Sequence, residues 1–162
     1  MTDGVSAEQL RNVMRQWVTG VAIVSVGDQD HAHGMTVNSF TSISLDPALI
    51  LVSMERSSRS HQMAHQYGRF AVSILHADQQ DLSEIFSGRT GDDDRFAGIK
   101  AALTPSGIPV PERSLAVLDC SIEQTIDAGT HTVFIARVEH AQVSDGGTPL
   151  LYFNRAYRKP TW

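Results

Sequence analysis

The stretch HGMTVNSFTSISLDPALILVSM, residues 33–54, joins two segments of opposite character. Small polar residues crowd its first half after Gly34, whereas its second half, residues 49–52, has the continuous apolar pattern of a buried strand. Asp46 and Pro47 between the two halves predict a turn. The first half could present hydrogen-bond donors and acceptors to a polar planar ligand, or it could be a solvated edge strand. The spacing of the residues leaves both interpretations open.

Length and composition describe one ordinary globular domain, which we expect to span residues 1–162. Hydrophobic residues make up 41% and charged residues 19% of the chain, and the net charge of −5 argues against nucleic acid and anionic membranes as partners. Cys120 is the only cysteine, which excludes an intramolecular disulfide and is typical of the reducing cytoplasm. We also expect no secretory signal and no transmembrane helix, because no apolar run approaches the roughly 20 residues that cross a bilayer.

Hydrophobic periodicity in the rest of the chain predicts an antiparallel β-barrel with two or three helices on its outside. A first helix starts at Ser6, with Gln9 as its capping-box partner, and its apolar face is expected to lie against the sheet. Two more helices are predicted within 55–68 and after Asp78 as N-cap, whereas three prolines predict a loop without regular structure over 104–112. The other predicted strands are residues 20–27, 70–75, 116–127, 132–143 and 150–153.

Three further segments could carry binding or catalysis. The helix start at residues 57–60, next to Arg56, offers unpaired backbone N–H groups to a phosphate, although a solvated serine cap is the commoner use of such a sequence. His131 follows a hairpin turn, where it could hold a cofactor group at the barrel mouth or simply be exposed. His61 and His65 have the spacing of two metal ligands, but no third ligand with suitable spacing is visible, and we predict no metal site.

Four motifs in a fixed order carry a family resemblance. The stretch 33–54 resembles the signature of the short-chain flavin reductases, the small components of two-component flavin-dependent monooxygenases. Three further motifs follow in the family's order: SGRTGDDDRFAGI (87–99), AGTHTVFIARV (128–138) and PLLYFNRAY (149–157). The resemblance extends from about residue 10 to residue 157. It implies a mainly β fold, the antiparallel FMN-binding split β-barrel, in a protein that is usually a homodimer with flavin near the subunit interface.

The resemblance also implies roles for individual residues. The isoalloxazine and ribityl parts of the flavin would contact Thr36, Val37, Asn38, Ser39, Phe40 and Thr41. The phosphate end would contact Ser53, Arg56, Ser57, Ser58 and Ser60, and further cofactor contacts would come from Phe86, Asn154, Arg155 and Tyr157. His131, which falls on the histidine of the family's Gly-Asp-His motif, would be the catalytic residue beside the nicotinamide. The chain departs from the family with Thr130 in place of the usual aspartate, and with Asn154-Arg155-Ala156 in place of a glycine-containing pattern.

The activity that the resemblance implies is that of an NAD(P)H:flavin oxidoreductase. Such an enzyme reduces FMN or FAD with a hydride from NADH or NADPH and supplies the reduced flavin to a separate monooxygenase. The cofactors would supply the redox chemistry, which explains why the sequence shows no nucleophile or acid–base pair. The two departures motivate a second hypothesis, a flavin-binding electron carrier or sensor that does not reduce free flavin. Turnover of NADH or NADPH with added flavin separates the two hypotheses.

Overall fold

A computed structural model of the chain describes residues 4–89, 91 and 94–162. Its helices are α1 (Ala7–Met14), α2 (Arg59–Tyr67) and α3 (Gln80–Phe86). Its strands are β1 (Thr19–Gly20), β2 (Ala22–Gly27), β3 (Ala32–Val37), β4 (Thr41–Leu45), β5 (Ala48–Glu55), β6 (Arg69–Ile74), β7 (Ala101–Leu103), β8 (Pro109–Pro111), β9 (Ala116–Ala128), β10 (His131–Val143), β11 (Leu151–Phe153) and β12 (Ala156–Arg158). Thr90, Asp92 and Asp93 of the motif at 87–99 lie outside the described residues.

Seven strands form one antiparallel sheet in the order β3-β2-β6-β9-β10-β5-β4. The edge strands β3 and β4 are consecutive in the chain and are joined only by residues 38–40. Because a link of this length spans at most about 14 Å, the ends of the two edge strands lie close together, and the sheet curves into a barrel that is open along one side. The predicted mainly β, antiparallel split-barrel fold with flanking helices is confirmed.

The barrel interior is filled by apolar side chains from strands all round the sheet. The fully buried ones include Val24, Val26, Val52, Phe70 and Phe134. Burial of side chains of this size stabilises the fold by about 1.5–3 kcal/mol each. Helix α2 packs against this interior with Met63 and Ala64, and Gly68 ends the helix in the left-handed conformation at φ 66°. The helix start therefore has a fixed position beside β5 and β10.

A second apolar cluster lies on the outer face of β2 and contains Val21, Ile23, Leu75, Phe86 and Leu150. The cluster joins α3 to a small sheet of order β1-β11-β12. Strand β2 is therefore buried at every position, because the barrel interior covers one face and the second cluster covers the other. This arrangement fixes α3 and the C-terminal hairpin against the end of β3, where the candidate site lies.

The apolar face of α1 is exposed, so the prediction that this face lies against the sheet is wrong. Leu10, Val13 and Trp17 are 56%, 65% and 67% exposed, and α1 ends at Met14, before Trp17 is reached. The predicted capping box at the helix start is confirmed. Periodicity indicates that one face of a helix is suited to burial, but it does not say which molecule buries it.

The proline-rich segment 104–112 contains regular structure, contrary to the prediction. Strand β8 pairs with β7 in a hairpin that buries Val110, and the intervening Ile108 is buried as well. Pro109 and Pro111 are two residues apart, so they share the alternate positions of the ribbon that need no N–H donor. Prolines at such positions are compatible with a strand, and their number alone does not exclude one.

Asp78 does not cap α3, which corrects a further prediction. The N-cap residue is Gln79, which makes no side-chain cap. The carboxylate of Asp78 instead accepts a hydrogen bond from Arg113 at 2.8 Å and pairs with His76 at 2.9 Å.

Strand β12 was not predicted by the periodicity, because three residues are too few to show alternation. Among the described residues, no helix combines the length and apolar character that a membrane crossing demands.

Candidate functional site

A cavity of about 180 Å³ opens where β3 ends and the chain crosses to β4. Thr36 and Val37 line it from β3, Asn38 lines it from the crossing segment, and Tyr152 and Tyr157 line it from the C-terminal hairpin. The two tyrosine rings are in edge-to-face contact with centroids 5.4 Å apart. The cavity therefore combines the polar end of β3 with an aromatic wall. Four of the predicted cofactor residues, namely Thr36, Val37, Asn38 and Tyr157, come together here.

Ser83 of α3 ties the two walls of this cavity together. The hydroxyl of Thr36 donates to the Ser83 carbonyl at 2.6 Å, and the hydroxyls of Ser83 and Tyr157 are 2.7 Å apart. Ser83 itself is fully buried. A buried polar group that is hydrogen-bonded on both sides holds its partners in one arrangement. The positions of Thr36 and Tyr157 are therefore set by α3, an element that the sequence did not connect to them.

Ser39 pins the crossing segment onto β5. Its hydroxyl donates to the carbonyl of Ser53 at 3.0 Å and accepts from the N–H of Ser53 at 3.2 Å. Phe40 packs partly buried against the barrel interior, and Thr41 begins β4 as an exposed residue. Asn38, directly before Ser39, remains exposed. Its amide, which can donate and accept hydrogen bonds, is therefore held at the rim by neighbours that are anchored on both sides.

A second and larger cavity, of about 550 Å³, adjoins the first through Asn38 and Tyr152, which line both. Its other walls are α1, the residues that follow α1, and the turn of the β11–β12 hairpin. The lining residues from these walls are Glu8, Arg11, Met14, Arg15, Trp17, Asn154 and Arg155. The N–H of Asn154 donates to the carbonyl of Arg15 at 3.1 Å, which fixes the hairpin turn to the end of α1.

The predicted phosphate loop leads into the start of α2. Ser58 is the N-cap residue, and its hydroxyl accepts from the N–H of His61 at 3.2 Å. Ser57 is exposed, whereas Ser60 is fully buried with its hydroxyl 2.8 Å from Nδ1 of His33. The Ser60 side chain is therefore directed into the protein. Its backbone N–H still belongs to the first turn of the helix, where N–H groups have no partner within the helix.

Arg56 is held between this loop and the β9–β10 turn. Its N–H donates to the carbonyl of Thr130 at 3.0 Å, and its guanidinium lies 3.8 Å from the carboxylate of Asp127. Both charged groups of this ion pair are more than half exposed, so the pair itself adds little stability. The ion pair matters because it holds the guanidinium of Arg56 beside the N-terminus of α2.

His131 is the first residue of β10 and lies opposite Glu55 of β5. Its ring is exposed, and its Nδ1 is 2.9 Å from the hydroxyl of Thr130, so this threonine can orient the imidazole. Along the same face of the sheet, the next pair is Val133 and Ser53, about 7 Å further on. His131 therefore lies on the same face of the sheet as Ser53, the residue whose backbone is hydrogen-bonded to Ser39.

A chain of hydrogen bonds beside the phosphate loop was not anticipated from the sequence. The hydroxyl of buried Thr132 donates to Asp127 at 2.9 Å and lies 2.9 Å from Nε2 of His61, which therefore acts as the donor to that hydroxyl. Burial lowers the pKa of His61, and the positive charges of His65 and Arg56 act in the same direction, whereas Asp127 opposes them. A neutral imidazole with its proton on Nε2 fits this arrangement.

His61 and His65 pack as aromatic rings. Their centroids are 4.7 Å apart, and both rings contact Phe134 at 5.5 and 5.1 Å. Across the described part of the chain, no group of three His, Cys, Asp or Glu side chains is arranged to hold a metal ion. In this structure the two histidines pack against each other and against Phe134 of β10.

Phe86 is fully buried, which changes its predicted role. Its ring packs edge-to-face on Phe96 with centroids 4.9 Å apart, and it approaches Gly34 so closely that a Cβ there would be 2.6 Å from the ring. The ring therefore lies behind the cavity wall, in the second apolar cluster, and not on a surface that a ligand reaches. The burial of Phe86 indicates that it supports β3 at Gly34, and its contact with a cofactor stays a prediction.

Sequence reasoning missed the contributions of α1 and β11 to the site. Glu8, Arg11 and Arg15 recur at helical spacing on the side of α1 opposite Leu10 and Val13. This polar stripe was a usable signal, because the charged face of an amphipathic helix can line a cavity while its apolar face is available for packing. Tyr152 gave no comparable signal, because an aromatic residue in a short strand usually belongs to the core.

The family description "flavin reductase like domain" matches residues 14–161 of this chain. The chain belongs to the flavin reductase-like family. The NADH-dependent flavin reductase StyB of Pseudomonas fluorescens is 38% identical over 154 residues, which are 93% of this chain and 88% of that protein. The FMN reductase (NADH) SmoA of Agrobacterium fabrum is 36% identical, over 95% of this chain and 86% of its own length.

Solved structures of flavin reductases share the fold of this family member. The NADH:FAD oxidoreductase SgcE6 of Streptomyces globisporus, in complex with NAD and FAD fragments, superposes with a TM-score of 0.89 at 31% identity. The match covers 99% of this chain and 98% of that one. The family resemblance that the four sequence motifs indicated is therefore confirmed.

Proposed function

We propose that this chain is an NADH-dependent flavin reductase, an oxidoreductase that binds FMN or FAD as substrate and passes the reduced flavin to a separate flavin-dependent monooxygenase. The observation that carries the proposal is the cavity at the end of β3, where Thr36 and Asn38 face Tyr157. The names of the relatives, which include StyB and SmoA, support the same activity with NADH as the hydride donor. The reductase component of a flavin-dependent trigonelline monooxygenase of Acinetobacter baylyi is 37% identical over 94% of this chain and 48% of its own length, and its name supports the monooxygenase partner.

The residues around the cavity fit a flavin. The carbonyl and N–H edge of its ring system needs both donors and acceptors, which the amide of Asn38 and the nearby backbone supply. The tyrosine rings offer apolar surface to a planar ring system. A bound flavin supplies the redox chemistry by accepting a hydride from NADH. The protein's part is to orient the two cofactors and to exclude water, which requires the fixed cavity walls that Ser83 and Ser39 provide.

The start of α2 is the proposed site for the flavin phosphate. Ser57 and Ser58 lie at the positive end of the helix dipole, and Arg56 adds a full charge beside them. Ser60 would contribute its backbone N–H only, because its hydroxyl is buried against His33. The chain from Asp127 through Thr132 to His61 positions both Arg56 and the helix start.

The position of Thr130 favours the reductase over a flavin carrier or sensor. Aspartate is the usual family residue there, but the Thr130 hydroxyl lies 2.9 Å from Nδ1 of His131 and can orient the ring as a carboxylate would. The substitution therefore does not remove the hydrogen-bonding partner of His131. This observation supports a retained nicotinamide side of the site.

The proposal is tested by following NADH and NADPH oxidation by the purified protein with added FMN or FAD. We expect turnover with at least one flavin and a preference for NADH, because the relatives are named for NADH. An oxygenase that consumes reduced flavin should become active when it is mixed with the protein, NADH and flavin. Flavin binding without oxidation of either nicotinamide would favour the carrier or sensor instead.

Replacement of His131 by alanine is expected to lower kcat/KM for NADH about 10–100-fold, equivalent to about 1.4–2.7 kcal/mol of transition-state stabilisation. The dissociation constant for flavin should stay within roughly twofold, because the ring is on the predicted nicotinamide side. His140, an exposed histidine of the same strand, provides the matched control, and His140→Ala should leave both constants unchanged. Equal losses of flavin affinity and NADH turnover in His131→Ala would show that the histidine holds the flavin.

A homodimer is part of the proposal. On the outer face of the sheet, Leu51, Ile126, Val133 and Ile135 are only partly covered, and Ile126 is 45% exposed; we call these four residues the β10 face. Val133 lies opposite Ile126, and Ile135 lies opposite Leu51, so the four side chains form one apolar patch. A second copy of the chain would bury this patch, and with it the surroundings of Ser53 and His131. Leu10 and Val13 of α1 form a second exposed apolar surface.

The chain acts as a single domain in the cytoplasm in this proposal. The family match over residues 14–161 supports one domain for the whole chain. The single, buried cysteine supports a reducing compartment.

A further inference from the structure

We propose that Arg89 stabilises the negative charge that the flavin ring acquires on reduction. Arg89 follows α3 and lines the cavity at the end of β3, although the sequence gave this residue no role of its own. The inference rests on the proposed function, because it assigns a role to one more residue of the same cavity. It concerns how strongly the oxidised and the reduced flavin are held relative to each other.

Arg89 supplies a positive charge to a cavity whose other walls are neutral. Of the described residues that line this cavity, only Arg89 is charged, and the others are Val21, Thr36, Val37, Asn38, Ser87, Tyr152 and Tyr157. Within the part of the chain that the structure describes, the guanidinium of Arg89 forms no hydrogen bond or ion pair. Its charge and its hydrogen-bond donors are therefore available to a ligand in the cavity.

The backbone that carries Arg89 is held against both β3 and α3. Gly88, directly before Arg89, has a φ of 78°, and a Cβ on it would be 2.6 Å from a guanidinium nitrogen of Arg95. The guanidinium of Arg95 in turn donates to the carbonyls of Gly34 in β3 and Phe86 in α3, both at 2.8 Å. This packing requires a glycine before Arg89 and fixes the place from which the Arg89 side chain starts.

A cation in this position distinguishes the two oxidation states of a flavin. The oxidised ring is neutral, and a hydride from NADH brings it two electrons and one proton, so the reduced ring has one negative charge unless it takes up a further proton. The guanidinium of Arg89 attracts that charge by a Coulomb interaction that the oxidised ring does not offer. An interaction made in only one of two states shifts the equilibrium towards that state. Arg89 should therefore favour reduction and hold reduced flavin more tightly than oxidised flavin.

Two features of the cavity set the expected size of this effect. The Thr36 hydroxyl donates its only hydrogen to the carbonyl of Ser83, so it cannot also donate to a flavin, and the share of Arg89 in stabilising the charge is larger. The Arg89 side chain is exposed, however, so water and salt screen its charge. We expect Arg89 to favour the reduced over the oxidised flavin about tenfold, which for a two-electron couple equals about 30 mV of reduction potential.

The test compares Arg89→Gln, which removes the charge, with Arg89→Lys, which retains it. Arg69→Gln is the matched control, because Arg69 is also exposed and starts β6 five residues, or about 17 Å, before Ile74, which is level with Val37 across β2. For each protein, dissociation constants are measured without oxygen for oxidised FMN and for FMN reduced by dithionite. The reduction potential of the bound FMN is measured by equilibration with a redox dye.

Arg89→Gln should weaken reduced FMN about tenfold more than oxidised FMN and lower the potential of bound FMN by about 30 mV. Arg89→Lys should retain most of the difference between the two states, and Arg69→Gln should retain all of it. Riboflavin, which has no phosphate, should show the same pattern as FMN. The difference between Arg89→Gln and the unmodified protein should shrink at acidic pH, because the reduced ring takes up a proton there and becomes neutral.

The proposal is overturned if Arg89→Gln weakens oxidised and reduced FMN equally, since a purely structural contact does not distinguish the two states. It is also overturned if the effect occurs with FMN but not with riboflavin, which would assign Arg89 to the phosphate, or if all constants stay within about twofold. The measurements use chemically reduced flavin and no NADH, so they are independent of the proposed reductase activity. A protein that does not oxidise NADH but shows the charge effect would refute the reductase and retain the role of Arg89.

Discussion

Replacing Phe86 by alanine is expected to lower the free energy of unfolding by about 3–5 kcal/mol, the usual cost of removing a buried aromatic ring from a core. The ring is fully buried, contacts Phe96, and lies against Gly34 with no room for a Cβ between them. Gly34, on one side of the ring, has no side chain that could move into the space. Urea denaturation of both proteins measures the difference.

The same variant distinguishes a supporting role from a contact with flavin. Phe86→Leu retains most of the side-chain volume and should cost far less stability, about 1–1.5 kcal/mol, with FMN affinity nearly unchanged. Phe86→Ala should weaken FMN as well, since α3 carries Ser83, which holds Thr36 and Tyr157 at the cavity. Loss of FMN affinity in both variants, without loss of stability in either, would mean that the ring contacts the flavin directly.

Phe86 also shows where sequence reasoning about the site reaches its limit. A position within a family resemblance can be assigned to a site, but the sequence does not say whether the side chain lies in the cavity wall or behind it. That distinction depends on Gly34, 52 positions earlier in a chain whose strand order brings the two together. The hydrogen bonds of Ser39 with Ser53 and of Ser60 with His33 are equally non-local. Local periodicity does not predict contacts between residues so far apart in the chain.

Hydrophobic periodicity predicted where the long strands begin and end. The long pair β9 and β10 shows an alternation over 13 residues each, and the sequence located both. The sequence also predicted a barrel, but the place where it closes is seen only in the sheet order, in which β3 and β4 are at opposite edges but adjacent in the chain. Thr36, Val37 and Asn38, which line the cavity at the end of β3, were predicted together because their motif is contiguous. The larger cavity along α1 was not located, because most of its lining residues come from the two ends of the chain.

Replacing Val133 by aspartate is expected to convert the proposed dimer into a monomer at micromolar protein concentration. A carboxylate left unpaired in a buried interface costs about 3–5 kcal/mol, which corresponds to a dissociation constant at least 100-fold higher. Val133 lies at the centre of the β10 face, between Ile126 on β9 and Ser53 on β5. Sedimentation or light scattering measures the mass of each protein, and circular dichroism verifies that the variant is folded.

Val143 supplies the matched control, since it is 77% exposed at the other end of the same strand, and Val143→Asp introduces the same charge. That variant should remain a dimer. A monomeric unmodified protein, or a Val133→Asp protein that stays dimeric, would refute the β10 face as the interface.

The NADH turnover of the monomeric variant provides a second test of the β10 face. His131 and Ser53 share the face of β5 and β10 on which Val133 lies, so a second copy there would exclude water from one side of the proposed reduction site. Monomerisation should therefore lower NADH turnover even where flavin still binds.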